Sequence, residues 1–104
     1  LFTFDDIVNV QDEALRKILT EIDNNVIALA LKTGNTEIEN KLFSNMSKRV
    51  GDSVKEVKDL LGPRLLSEVE AAQQQIVDAI KRLEAKGEAV FKKKGAKGSV
   101  DKFV

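Results

Sequence analysis

The sequence predicts an all-α fold: a compact bundle of about six helices with a flexible basic C-terminal tail. Apolar residues recur at three- and four-residue spacings through most of the chain, and alternating strand patterns are scarce. Proline is confined to Pro63. A length of 104 residues gives room for one core and not two, so one domain is expected.

A first short helix is expected over Phe4 to Asn9. The next runs from about Gln11 to Ile22, with Leu15, Ile18, Leu19 and Ile22 sharing a core-facing side. Asn25 to Leu31 is almost continuously apolar, which predicts a short helix buried on most sides, stopped at Gly34. Asn35 or Thr36 then caps a helix in which Ile38, Leu42, Phe43 and Met46 recur. Ser47 caps a longer helix that puts Val50, Val54, Val57 and Leu61 on one stripe. Its remaining surface carries Lys48, Arg49, Asp52, Lys55, Glu56 and Asp59 before Gly62 and Pro63 end it. Ser67 and Glu70 have capping-box spacing, opening a helix that buries Val69, Ile76, Ile80 and Leu83, reaches about Lys86 and ends at Gly87. Beyond Phe91 the run KKKGAKGS lacks periodicity and predicts a mobile tail.

Composition excludes several functions. Neither histidine nor cysteine is present, which removes the commonest general base, the thiol nucleophile and the usual zinc ligands, so an enzyme is not expected and no catalytic, metal or cofactor site is assigned. Asp5 and Asp6 read as helix-start charges. GAKGS lacks the spacing of a phosphate-binding loop. Seventeen basic residues balance seventeen acidic ones, so no global field recruits nucleic acid or membrane. From Lys86 onward six lysines face two acids, a local +4, but no interleaved aromatic residues suggest base stacking. No stretch is long and apolar enough for a membrane helix, and no signal-peptide pattern opens the chain. The start at Leu1 reads as a fragment of something longer. Phe2 and Phe4 alternate in LFTF as either an apolar staple onto the first helix or a hinge.

LFTFDDIV at 1–8, LALK at 29–32, NMSKR at 45–49, Gly62-Pro63, VEAAQ at 69–73 and RLEAKGE at 82–88 form an ordered series over roughly residues 1–91. In that order and spacing they resemble the C-terminal domain family of the bacterial flagellar motor switch protein FliG. The resemblance implies a compact bundle of six helices, preceded in the family by armadillo-like subdomains absent from this chain. Residues 1–4 would be a hinge or linker, 5–91 the helical domain and 92–104 a flexible Lys-rich tail.

It further implies a rotor component at the cytoplasmic face of the inner membrane, in the flagellar basal body. Its surface charges would meet the cytoplasmic loop of the stator protein MotA for torque and direction switching. Further partners would be FliM, neighbouring FliG copies, and FliF through the missing N-terminal part, with no nucleic acid or small-molecule substrate. The family's functional charges fall on Lys32, Arg49 and Glu56. Val57 stands where a second acid is expected and Leu65 where a base is, with Arg64 next door able to supply it. Lys58 replaces an apolar residue, so a slight rotation of the helix is expected, with contact resting on Arg49, Asp52 and Glu56. LFTF looks like the family's hinge, with Phe2 and Phe4 as pivots. The departures at Val57 and Leu65 also allow a motor-assembly scaffold or divergent paralogue with a reduced torque role.

Overall fold

A computed structural model of the chain describes residues 1–91; the tail expected at 92–104 lies outside the described residues. Among the described residues the chain forms a 3₁₀ helix, Phe4–Asn9, and five α-helices: α1 Asp12–Glu21, α2 Asn24–Ala30, α3 Thr36–Phe43, α4 Lys48–Leu60 and α5 Leu66–Ala85. The all-α architecture expected from the periodicity is therefore present, the first of its six helices being of the tighter 3₁₀ type.

Local chemistry sets most helix starts. The side chains of Asp23, Asn35 and Ser47 accept the backbone N–H of Asn25, Ile38 and Val50, at 2.7, 2.9 and 3.2 Å, each satisfying a donor that helix geometry leaves orphaned. Asn35, rather than Thr36, is thus the cap of α3. At the leading end Asp6 accepts both the Thr3 N–H (2.8 Å) and its hydroxyl (3.2 Å), which gives the acid a capping role.

Two local expectations change. Gly34 does not end α2 in a left-handed turn; the helix stops at Ala30, and the Lys32 N–H bonds back to the Leu29 carbonyl. Ser67 and Glu70 do not form the predicted capping box. Helix α5 begins earlier, at Leu66, because Glu68 reaches back to accept the Leu65 N–H at 3.1 Å and leaves Ser67 inside the first turn. Gly62 and Gly87, at φ +64° and +88°, do make the left-handed turns that release the chain from α4 and α5.

Helix α2 is the centre of the packing. Ile27, Ala28, Ala30 and Leu31 are all but sealed from solvent, and the helix packs against both α4 and α5. A seven-residue helix is too short to persist alone in water, so its stability comes from this enclosure; burying Ile27 alone contributes about 1.5–3 kcal/mol. Ile76, Val77, Ala79 and Ile80 of α5 and Leu15, Ile18 and Leu19 of α1 join the same core. Val54 of α4 is fully buried, with Val50, Val57 and Leu61 packed beside it at the core margin, so the predicted stripe faces inward. This fixes which side of α4 remains outside.

Candidate functional site

With its valine stripe held inward, α4 presents Arg49, Ser53, Glu56 and Leu60 at three- and four-residue steps along its exposed side, with Asp52 alongside. Lys48 Nζ lies 2.8 Å from Asp52 Oδ2, one helical turn on. That hydrogen bond and charge hold the Asp52 carboxyl below the ordinary carboxylate range and raise Lys48. Lys55 is also occupied, its ammonium 5.0 Å from the centroid of the Phe43 ring. Arg49 and Glu56 make no ion pair among the described residues. Together with Asp59, which is also exposed and without an ion pair among the described residues, they are the α4 charges left available to a partner.

Lys32 and Arg64 sit differently. The Lys32 ammonium donates to the Gly62 carbonyl at 2.7 Å, joining the end of α2 to the turn after α4. Arg64 forks onto Glu68, with Nη2 to Oε2 at 3.0 Å and a longer Nε contact of 3.4 Å to Oε1. The hydrogen bond from Arg64 and then that from the Leu65 N–H hold the Glu68 carboxyl below its usual range. Both bases therefore meet the turn beyond the C-terminal end of the ridge, and both are engaged there. Around that turn Leu60, Leu65 and Leu66 are 78%, 68% and 59% exposed, giving the end of the ridge an apolar shoulder. The charges expected from sequence thus separate into Arg49, Asp52 and Glu56 on one helix face, and Lys32 and Arg64 at its end.

Val57, in the place of an expected acid, packs against the core, and Lys58 beside it turns towards α3. There its ammonium meets Glu39 Oε2 at 2.7 Å, with both side chains less than a third exposed. A base at an otherwise apolar position is accommodated by that carboxylate.

Asn45, within NMSKR, has a role that the sequence pattern does not announce. Its side chain is 6% exposed and donates through Nδ2 to Asp12 Oδ1 (3.0 Å) and to the Lys41 carbonyl (2.9 Å). Its oxygen accepts from Arg16 Nη1 at 3.2 Å, and Lys41 Nζ closes the cluster onto Asp12 at 2.8 Å. Two residues later Ser47 starts α4, so this buried network sets where the ridge begins. An asparagine in a turn just before a capping serine was the signal available.

At the leading end Phe4 is in the core, 7% exposed, whereas the Phe2 ring is partly buried and lies edge-on to Phe91, 5.1 Å between centroids at 67°. Among the described residues no cluster of three or more histidine, cysteine or acidic side chains could hold a metal, and no helix is long and apolar enough to cross a membrane.

Residues 1–91 match the family described as "FliG C-terminal domain". The flagellar motor switch protein FliG of Thermotoga maritima is 41% identical over 95 residues, covering 91% of this chain. The chain belongs to the FliG C-terminal domain family. It spans 28% of the length of the Thermotoga protein, and the same share of the FliG of Bacillus subtilis, which is 35% identical over 95 residues, 91% of this chain. The crystal structure of a FliG fragment from H. pylori superimposes with a TM-score of 0.80 at 34% identity, over 86% of this chain and 42% of that one. Full-length FliG from Aquifex aeolicus gives 0.78 at 38%, over 83% and 27%. The family is that of a structural component of the flagellar motor switch. Within this FliG-type domain, the outer face of α4 carries accessible charge of both signs without ion pairs among the described residues, as the last turns of α5 do at Lys81, Arg82 and Glu84.

Proposed function

We propose that the domain acts as the rotor face of a flagellar motor switch, pressing the α4 ridge against the cytoplasmic loop of the stator protein MotA. Arg49 and Glu56 make the charge contacts and Asp52 contributes through its exposed carboxylate. Lys32 and Arg64 shape the turn at the end of the ridge and add positive potential there. The observation carrying this reading is that Arg49 and Glu56 stand exposed and without ion pairs on a helix clamped to the core from behind.

The physics suits a moving contact. An exposed ion pair is worth about 0–1 kcal/mol and is screened beyond roughly 8 Å at physiological salt, so it forms and breaks easily. Complementary charge favours rapid, correctly registered encounters over tight binding. On the same reading residues 1–4 form the hinge about which the domain reorients for direction switching, 5–91 the working domain and 92–104 a tail. The domain sits at the cytoplasmic face of the inner membrane among FliM and neighbouring FliG copies, with FliF met through the part of FliG that precedes it.

Val57 against the core and Leu65 in place of a base favour a second reading, a motor-assembly scaffold or paralogue with a smaller torque role. Exchange of this domain into a motile bacterium's FliG separates the two. Reversing Arg49 and Glu56 together is expected to leave filaments assembled and paralysed or slowed. Normal swimming by that double variant would overturn the torque reading, and loss of filaments would favour the scaffold.

A further inference from the structure

The last described residues return to the first ones. After the left-handed turn at Gly87, the Val90 carbonyl accepts the Gln11 N–H at 2.7 Å, and the Phe91 carbonyl accepts Gln11 Nε2 at 2.9 Å. Val10 and Phe91 form an isolated antiparallel bridge, and Val90 is 3% exposed. Lys17 Nζ pins the start of this strap through Glu88 at 2.6 Å, a contact that also raises the lysine's pKa. Upstream, Phe4 is fixed in the core and Thr3 is bonded to Asp6. The freedom left to the leading segment lies at Leu1 and Phe2, and the Phe2 ring is held by Phe91.

We propose that the strap Glu88–Phe91 is a latch that sets the direction in which the leading segment leaves the domain, with Phe91 the positioning residue for Phe2. This rests on the proposed hinge at residues 1–4, of which only Leu1 and Phe2 are left free to turn. The latch is built to open. Val90 anchors the strap in the core, so what opens is its far end, the single edge contact between Phe91 and Phe2. Its release turns Phe2 free while Phe4 and the 3₁₀ helix stay in place, so the pivot is confined to the residues ahead of Thr3. In a longer FliG chain a closed latch holds the domain, and with it the α4 ridge, in one orientation relative to whatever precedes Leu1, and an open latch allows others.

The test is NMR on this chain, which requires no stator and therefore fails or succeeds independently of the torque reading. Phe91→Leu is expected to raise the released population of Phe2 by roughly two- to tenfold, the factor an edge-on aromatic pair supports, read as a fall in the Phe2 backbone order parameter. Thr3, held by Asp6, and Ile76 and Ile80 in α5 should keep their order. Lys17→Glu should give a smaller loss of order at Phe2, and Lys17→Glu with Glu88→Lys should restore it. An unchanged Phe2 order parameter in both single variants overturns the latch. If Phe91→Leu instead loosens the whole domain, Lys17→Glu decides, because that ion pair is about half exposed and the core does not depend on it.

Discussion

The ammonium of Lys32 donates to the carbonyl of Gly62 at 2.7 Å, across 30 residues of sequence, and so makes the end of α2 the brace for the turn that leaves α4. A lysine that sequence likeness marks as a contact charge is thereby also a structural strut. The two roles make different demands on a substitution.

Lys32→Ala removes the strut and the charge, whereas Lys32→Arg keeps the charge and changes the reach. The alanine variant is expected to lose about 0.5–1.5 kcal/mol of stability, the ordinary net value of one such hydrogen bond. Urea unfolding of the two variants measures this. A wild-type midpoint for Lys32→Ala would show that the bond to Gly62 contributes nothing.

Arg49→Glu should reverse a ridge charge without harming the fold. Arg49 occupies the first turn of α4, where an acid is favoured by the helix dipole, and this gain offsets the new repulsion from Asp52 one turn on. Stability is expected to stay within about 0.5 kcal/mol of the parent while motility falls. A large loss in thermal melting would mean that Arg49 has a structural partner.

Asn45→Ala should be far more damaging than its surface neighbours. It leaves Arg16 without its acceptor on Asn45 and takes a donor from both Asp12 and the Lys41 carbonyl in a largely buried place, at a cost of about 1–3 kcal/mol. For a domain of this size each kcal/mol lowers Tm by roughly 4–8 °C. Because Ser47 follows, the first turn of α4 should also lose amide protection. A variant melting like the parent would show that the network is dispensable.

Acid should loosen the start of α5 through Glu68. Its folded carboxyl lies below the ordinary value, so the charged form is favoured by folding; the contribution is fully present above the unfolded glutamate pKa of about 4.3 and is lost as pH falls through the depressed folded value. Carboxyl NMR titration should place Glu68 below that ordinary value, and Arg64→Ala should move it up, since the Arg64 hydrogen bond is the larger cause. An identical titration in both chains would remove the ion pair from the account.

Much of the fold was legible because it is written locally. Caps at Asn35 and Ser47 and the valine stripe of α4 depend on residues three and four apart, a spacing any reader of the sequence can follow. The start of α5 was misread for a local reason as well: two acids, Glu68 and Glu70, had suitable spacings, and the one able to bond both Arg64 and the Leu65 N–H took the cap. The charges of the ridge were legible as charges.

By itself the sequence determined an all-helical chain with α4 carrying a mixed-charge outer face, because helix periodicity divides core from surface within single segments. Only the tertiary structure decided which of those charges are free. Lys32 is tied to Gly62 and Lys58 to Glu39, while Arg49, Glu56 and Asp59 are left without ion pairs among the described residues. It also decided that Asn45 anchors the start of the ridge and that Phe91 returns across 80 residues to Gln11 and rests on Phe2. The physical reason is range: capping, amphipathicity and pairs four residues apart act over one helical turn, whereas an ion pair or ring contact between separate elements depends on how whole helices pack, which no local pattern encodes.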